Sequence, residues 1–367
     1  MIKSLMQGLN EKDMQAVVNN YNLNDFYFPT LFPLKETYSL TWKTLQMTAG
    51  LHIAADLVAR GATLDAKTRE ALKRLEGDIP KIAIERKKDE NELNEYDIMI
   101  AMTSGNPDLK ALVEAWAEDT KFCWNGVAAR IEWMALYQMS HAGVLKVTSE
   151  NNAHVVSEYD ADYGIPSDQK VGTSIAWTNQ STAKPISVDL RNAVKNARTK
   201  HLNPKFCFMN QQTFNNMVET AEVQKFCATY VANALNAAQI PDLAAVNTAF
   251  AKIPYLFGLQ VVVIDQEVTV EFMDGSRSTG NPFADNVVLL TESKVLGNTF
   301  YKKPIDLKLQ GTPAIKVMNG PTCIKKFANE EPVEEVTQGV ANAFPAWSGS
   351  ERTYHIDVKN ATWQAGA

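Results

Sequence analysis

The residues of this sequence with the chemistry for acid–base, nucleophilic or metal-dependent reactions are its histidines and cysteines. The five histidines are His52, His141, His154, His201 and His355. No two of them lie at the spacing of metal ligands, so a zinc site needs partners from distant parts of the chain. The four cysteines are Cys123, Cys207, Cys227 and Cys323. They form no C-x-x-C pair and most have apolar neighbours, which predicts buried, reduced thiols.

A group of acidic residues has the composition of a calcium-binding loop. Asp160 and Asp162, followed by Tyr163, resemble part of such a loop. The glycine and the terminal glutamate that a calcium loop requires are missing from their positions. We therefore interpret these side chains as solvated loop carboxylates.

A second charged segment, residues 85–92, contains four carboxylates and a basic run. The carboxylates fit either a paired acid–base site or a solvated charged face, and charge runs of this kind are usually solvated. The basic run consists of Arg86, Lys87 and Lys88. Both a solvated face and the binding of acidic groups on a neighbouring chain remain open for it.

The sequence also lacks the motifs of catalytic sites. It contains no G-x-G-x-x-G or G-x-x-x-x-G-K-[ST] phosphate-binding loop, no G-x-S-x-G nucleophile turn and no H-E-x-x-H zinc motif. We therefore predict that the protein is not an enzyme and that it has no catalytic, cofactor-binding or metal-binding residues.

Length and composition indicate a folded protein of more than one domain. The 367 residues predict roughly two or three compact units. The chain is 45% hydrophobic and 21% charged, as folded soluble proteins are. Lys and Arg number 36 against 42 Asp and Glu, a net charge of -6. This acidic balance argues against an open surface that coats nucleic acid.

No targeting or membrane segment is evident in the sequence. The first residues lack the apolar core of a signal peptide. No run of about 18 apolar residues occurs, so we expect no membrane-spanning helix and no membrane partner. We expect a soluble, intracellular product.

The N-terminal third of the chain contains three segments of different composition. An apolar strap over residues 26–33 contains four aromatic side chains, and we expect it to be extended and to cover its own core or contact another subunit. Residues 37–47 alternate with a period of two, which predicts a strand. Residues 60–95 carry many charges around one apolar anchor at 79–84, which is typical of an arm, a lid or a binding loop.

A long helix after Pro107 is the strongest predicted element. It has about 34 residues and a length of about 50 Å at 1.5 Å per residue. Its apolar stripe does not keep strict heptads, so we expect a spine packed on a sheet rather than a coiled coil. The predicted core face of this spine helix contains Trp116, Cys123, Val127 and Ile131.

The remainder of the chain mixes strands and helices. The pattern predicts a hairpin over residues 144–159, a helix from Ser187 to about Lys200, a short strand at 206–209, a helix capped by Asn210, a third helix at 224–235, and buried strands at 259–265 and 287–291. Strands and helices do not alternate regularly, which indicates an α+β fold rather than a doubly wound sheet. Residues 303–352 fit no clear element.

The order of these elements resembles the lambda-type major capsid protein (E protein) family of tailed phages. The resemblance is carried by the strap and the strand Thr37–Trp42, by the charged arm and the spine helix, and by the runs Asn203–Asn210, Gly258–Val263 and Val287–Leu290. It covers nearly the whole chain in order, although each motif is loose.

The resemblance implies the Hong Kong 97 phage capsid fold, an α+β fold with named parts. The implied parts are an N-terminal arm (1–33), an extended E-loop (34–95), a peripheral or P domain with the spine helix (96–179), an axial or A domain (180–302), and a return to the P domain with a C-terminal strand (303–367). The sequence patterns themselves predict the arm, the loop and the spine, whereas the division into A and P domains comes from the resemblance alone.

The resemblance also implies the function and the partners. It implies a major capsid protein that self-assembles into hexamers and pentamers and forms the icosahedral head shell of a tailed phage. The protein then belongs to the virion and is made in the host cytoplasm. Its implied partners are copies of itself, scaffold and portal proteins, and the enclosed double-stranded DNA, which it does not bind sequence-specifically. A decoration protein is left open.

We expect the strap and the E-loop to contact neighbouring subunits. The candidate intersubunit contacts are Phe26, Phe28, Phe32, Trp42, Ile82, Arg86, Lys87 and Lys88. Two other functions were weighed against a phage head. A cellular nanocompartment has the same fold but encloses cargo enzymes, and an enzyme with residues 60–95 as its lid requires a convergent polar pocket that the sequence does not show.

Overall fold

The computed structural model describes residues 11–47, 72–102, 109–148, 150–152, 159–230, 239–272, 274–309 and 314–365. The chain divides into two compact units, each built from separate stretches of sequence. Unit 1 comprises Met1–Trp42, Glu76–Ala135 and Asn298–Ala346. Unit 2 comprises Lys43–Leu75, Leu136–Gly297 and Trp347–Ala367.

Helices lie in the regions of the predicted spine, of the predicted helices at 187–200 and 224–235 and of the helix capped by Asn210, whereas α2, α3 and α8 were not predicted as helices. The α-helices of the described residues are α1 (Glu11–Asn19), α2 (Phe28–Leu31), α3 (Glu90–Met102), α4 (Leu109–Ser140), α5 (Arg191–Thr199), α6 (Gln211–Val218), α7 (Ala221–Tyr230) and α8 (Leu243–Lys252). The predicted Asn210 cap is confirmed, because its side chain accepts a hydrogen bond from the Thr213 N–H at 2.8 Å. Helix α8 was not predicted, although Asp242 caps it in the same way.

The strands include several that the sequence patterns did not reveal. Those of the described residues are β1 (Leu34–Glu36), β2 (Thr41–Met47), β3 (Leu72–Asp78), β4 (Lys81–Lys88), β5 (Val144–Val147), β6 (Tyr159–Asp162), β7 (Lys170–Gly172), β8 (Phe206–Asn210), β9 (Gln260–Ile264), β10 (Val268–Glu271), β11 (Arg277–Gly280), β12 (Val287–Thr291), β13 (Gly297–Lys302), β14 (Ile315–Asn319), β15 (Thr322–Glu330), β16 (Val333–Trp347) and β17 (Tyr354–Asp357). The predicted hairpin after the spine helix is formed by β5 and β6, but its second strand lies later than predicted. Residues 153–158 lie outside the described residues, and Asp160 and Asp162, which were interpreted as loop carboxylates, lie on β6.

Unit 1 is built on a six-stranded sheet. The strand order is β1-β13-β16-β15-β14, and β4 also pairs with β16. Strand β16 is the centre of the sheet, because it pairs antiparallel with β15 and, over residues 335–342, antiparallel with β4. Residues 303–352, which fit no predicted element, therefore supply three strands of the sheet.

Strand β4 lies within the range predicted for the E-loop but belongs to the sheet of unit 1. Residues 34–95 were expected to form a loop outside the core, with residues 79–84 as its one apolar anchor. Instead β4 is hydrogen-bonded along its length to β16, from Ile82 opposite Ala341 to Lys88 opposite Glu335. Only β2, β3 and the residues between them can therefore belong to a protruding loop.

The spine helix α4 packs on this sheet at close range. The Sγ of Cys123 donates a hydrogen bond to the Thr337 carbonyl oxygen at 3.3 Å. A Cβ added to Gly339 on β16 would lie 2.6 Å from the Cys123 carbonyl oxygen. On the helix side, a Cβ added to Gly126 would lie 2.5 Å from Cδ1 of Ile84. A glycine on each surface thus permits an approach that larger residues would prevent.

Unit 2 contains a five-stranded mixed sheet in the order β7-β17-β12-β8-β9. Strand β12 is fully buried and pairs antiparallel with β8 and β17, whereas β8 and β9 are parallel. The C-terminal strand was expected to return to the P domain. It pairs with β7, which lies in the predicted P domain, but also with β12 of the predicted A domain. This mixture of helices and sheets confirms the predicted α+β class.

Candidate intersubunit contact residues

The basic run at residues 86–88 forms ion pairs within its own chain. Lys88 Nζ lies 2.8 Å from Oδ2 of Asp119, and Arg86 Nε lies 3.3 Å from Oδ1 of the same carboxylate. Lys87 Nζ lies 2.9 Å from Oε1 of Glu334. Strand β4 thus carries these three cations to carboxylates on α4 and β16 of the same chain, and their contact with acidic groups on a neighbour stays a prediction.

The interface between α4 and the sheet also encloses a charge pair that sequence reasoning missed. Lys326 Nζ lies 3.2 Å from Oε1 of Glu335, and both side chains are buried. Burial lowers the pKa of Lys326, while the Glu335 carboxylate opposes that shift. Lys326 follows the inward-facing Ile324 by two residues, so the alternation of a strand was the signal for its burial. Each member of such a pair depends on the other for its burial.

The aromatic strap packs into unit 1 instead of lying open for a partner. Phe28 and Phe32 are 0% exposed, and Phe26 packs in part on a cluster that includes Trp124. Strand β13 also fixes the strap, because Thr299 donates hydrogen bonds from Oγ1 to the Phe32 carbonyl oxygen and from its N–H to the next carbonyl oxygen. Of the two alternatives left open for the strap, cover of its own core agrees with this burial, and an intersubunit contact stays a prediction.

A buried carboxylate on α4 explains why the strap forms a helical turn rather than an extended segment. Oε1 of Glu132 accepts the Tyr27 N–H at 2.9 Å, and Oε2 accepts the Phe28 N–H at 2.7 Å. These are free N–H groups at the start of α2, and Pro29 in the first turn needs no N–H partner. Burial raises the pKa of Glu132 to about 7, although the two N–H groups favour the charged form.

Glu132 should make the stability of the subunit pH-dependent. Its folded pKa exceeds the ordinary value of 4.5, so its contribution to stability falls as the pH rises from 4.5 to about 7. The loss amounts to at most about 3 kcal/mol. In Glu132→Gln this contribution should vanish, so urea unfolding between pH 5 and pH 8 should show a flatter pH dependence than wild type.

The difference in pH dependence between wild type and Glu132→Gln gives the contribution of Glu132 alone, because the other buried groups titrate in both proteins. Burial raises the pKa of Asp189 to about 6 and lowers that of His355 to about 3. Glu118→Gln on the exposed side of α4 is the matched control and should keep the wild-type slope. Equal slopes for wild type and Glu132→Gln would contradict the assignment.

The two remaining apolar candidates of the E-loop are also covered within the chain. Trp42 is 5% exposed and stacks on Phe344 with ring centroids 5.2 Å apart. Gly77 on β3 lies directly against the Trp42 ring. Ile82 is 8% exposed as part of the sheet. Like Phe28 and Phe32, these side chains are buried in the core of unit 1, and their intersubunit role stays a prediction.

The described residues of the predicted core face of the spine helix are buried, as its apolar stripe predicted. Cys123, Val127 and Ile131 are each 0% exposed. The side chain of Trp116 lies outside the described residues. All four cysteines are free and buried, as expected, and burial raises the pKa of each thiol, that of Cys123 to about 12. A thiol with such a pKa does not form the nucleophilic thiolate at neutral pH.

Among the described residues, no set of three His, Cys, Asp or Glu side chains is arranged to hold a metal ion. In the same parts of the chain, no helix combines the length and the apolar character needed to cross a bilayer. Open surfaces among the described residues include an apolar groove in unit 2 beside α7, and helix α3, whose described side chains are nearly all exposed.

Comparisons with known proteins agree on one class. A family model described as phage major capsid protein E matches residues 12–334. No curated protein sequence matches the chain.

Solved structures share the fold at low sequence identity. A protein described as a prophage capsid protein from Escherichia coli CFT073 is 12% identical with a TM-score of 0.57, covering 95% of this chain and 99% of that chain. A phage-related protein from Bordetella bronchiseptica RB50 is 12% identical with a TM-score of 0.54, covering 94% and 95%. The capsid protein of cyanophage A-1(L) is 12% identical with a TM-score of 0.53, covering 94% and 96%. The fold is that of Hong Kong 97-like phage capsid proteins.

Proposed function

The chain belongs to the phage major capsid protein E family, and from this premise we propose that it builds the icosahedral head shell of a tailed phage by self-assembly into hexamers and pentamers. Its membership makes it a structural protein of the phage head. The match over residues 12–334 is the observation that carries the proposal. It also favours a phage head over a cellular nanocompartment of the same fold.

The proposed shell encloses double-stranded DNA without binding it sequence-specifically. A net charge of -6 supports this, because attraction to phosphates grows with the number of cationic contacts. Scaffold and portal proteins are the proposed further partners, and synthesis takes place in the host cytoplasm. The family and the compared proteins are structural, and we propose that this chain has no catalytic activity.

The proposed parts of the subunit follow the family resemblance with one change. The arm over residues 1–33, the A domain over 180–302 and the P domain with the spine helix are retained. The E-loop is reduced to residues 41–78, since β1 and β4 both belong to the sheet of unit 1. In this proposal the A domain lies at the centre of each hexamer and pentamer.

Purified protein at micromolar concentration should form hexamers, pentamers or closed shells. Exposed apolar side chains such as Tyr38 (94%) and Ile305 (74%) supply surface that a monomer would leave uncovered. Sedimentation velocity combined with negative-stain microscopy measures this directly. A monomer at all concentrations and salt conditions, without particles, would count against the proposal, and particles filled with cargo enzyme would indicate a nanocompartment.

A further inference from the structure

An open apolar groove in unit 2 has the size of a peptide-binding site. Its volume is about 860 Å³, and its floor and walls come from Ile175, the loop before α5 and the side of α7. On α7 the rings of Phe226 and Tyr230 stack, with centroids 6.2 Å apart and planes 12° apart. Ile175 is 40% exposed at the edge. Aromatic and aliphatic surface of this kind is favourable to cover.

The rim of the groove is positively charged. Lys184 and Lys225 lie at its edge and are exposed, and neither forms an ion pair with the described carboxylates. The groove has one acidic residue, Glu222, but this side chain already accepts hydrogen bonds from the Ile186 and Ser187 N–H groups. Glu222 thus supports the helical turn before α5, a role that sequence reasoning gave to a Ser187 cap.

Helix α3 in unit 1 carries the negative charge that complements the positively charged rim of the groove. It contains four acidic and no basic residues. Its described side chains are exposed except Leu93, which packs in part on the core of unit 1. Ile98, which is 58% exposed, lies about 140° around the helix from Leu93. An isolated helix of this length is marginal in water, so a contact on the outer face would stabilise it.

The outer face of α3 combines an apolar centre with negative charge. Glu95 lies one turn before Ile98 and Ala101 one turn after it, so the three share a face, and Asp97 borders it. All are exposed, and Glu95 and Asp97 form no ion pair within the described residues.

We propose that the groove of one subunit binds helix α3 of a neighbouring copy of this chain. Ile98 enters the groove beside Phe226, and Glu95 and Asp97 face the two rim lysines. The inference rests on the proposed function, because a shell supplies every groove with a neighbouring α3 through a repeated heterologous contact. DNA fits the groove less well, since phosphates gain nothing from its apolar walls.

Charge reversal tests the electrostatic half of the proposal. Lys184→Glu with Lys225→Glu should reduce the yield of closed shells by about tenfold or more, because a small loss per contact is repeated around the shell. Adding Glu95→Lys and Asp97→Lys to the same chain should restore shells. Lys294→Glu, an exposed lysine elsewhere in unit 2, is the matched control and should assemble normally. Circular dichroism confirms that each variant is folded.

A disulfide trap tests the contact itself. A chain with Ile98→Cys and Thr229→Cys should, after oxidation of assembled shells, give a ladder of linked subunits on a non-reducing gel. The native cysteines are buried and do not interfere. Shells without linked subunits, or a disulfide confined to single chains, would overturn the inference while leaving the proposed function intact. If the variant with Lys184→Glu and Lys225→Glu lost only DNA binding and still formed shells, the inference would also be overturned. If wild-type chains never assembled, the proposed function itself would be refuted.

Discussion

Val127→Asp is expected to destabilise the subunit strongly and to prevent shell assembly. Val127 is 0% exposed at the centre of the face by which α4 packs on the sheet of unit 1. An aspartate there buries a charge without a partner and costs about 3–5 kcal/mol. Because a domain has about 5–15 kcal/mol of stability in total, the variant should show a much lower melting temperature and no shells.

Asn125→Asp is the matched control for this variant. Asn125 lies two residues earlier on α4 but is exposed, so the same charge there remains solvated. It should melt within a few degrees of wild type and assemble normally. If Val127→Asp also folded and assembled like wild type, α4 would not be the core spine of the subunit.

Replacing residues 48–71 by a short Gly/Ser linker is expected to abolish shell closure while leaving a folded subunit. The ends of this stretch are already joined, because β2 pairs with β3 and the Leu40 carbonyl oxygen accepts the Ile79 N–H at 2.7 Å. A short linker therefore bridges adjacent strands at little cost in loop entropy. Circular dichroism, melting and particle counts by microscopy measure the two effects separately.

The limits of this deletion follow from the structure. A deletion extended to residue 80 would remove Ile79, which is 5% exposed, together with β3, and would damage the core itself. A second variant, in which a Gly/Ser segment of the same length replaces residues 48–71, keeps the length of the loop but removes its side chains. This variant should also fail to close shells. Normal shells from the short variant would show that the E-loop is not an intersubunit element. An unfolded product would show that residues 48–71 belong to the core.

Local signals in the sequence were sufficient for individual elements. The apolar stripe of α4, the Asn210 cap and the buried run of β12 depend on residues within a few positions of each other. Periodicity and capping chemistry express such short-range contacts directly. The E protein resemblance, which depends on the order of these elements, was correct for the same reason.

The intrachain partners of the candidate contact residues could not be predicted because these partners are distant in sequence. Lys87 lies beside Glu334, and Glu132 beside Tyr27 and Phe28, although long stretches of chain separate them. From the sequence, an unpaired cation and an aromatic strap both suggest an external partner. Whether a charge or a ring is exposed depends on what the rest of the chain places against it.

The sequence by itself determined the α+β class, the spine helix and the absence of a recognisable catalytic motif. Only the tertiary structure decided that β4 pairs with β16, that Lys326 and Glu335 are buried together, and that the strap is fixed by a carboxylate. The physical reason is that strand pairing and charge burial are contacts between segments far apart in sequence. Their partners are selected by packing of the whole unit, whereas helix stripes and caps are selected by their immediate neighbours.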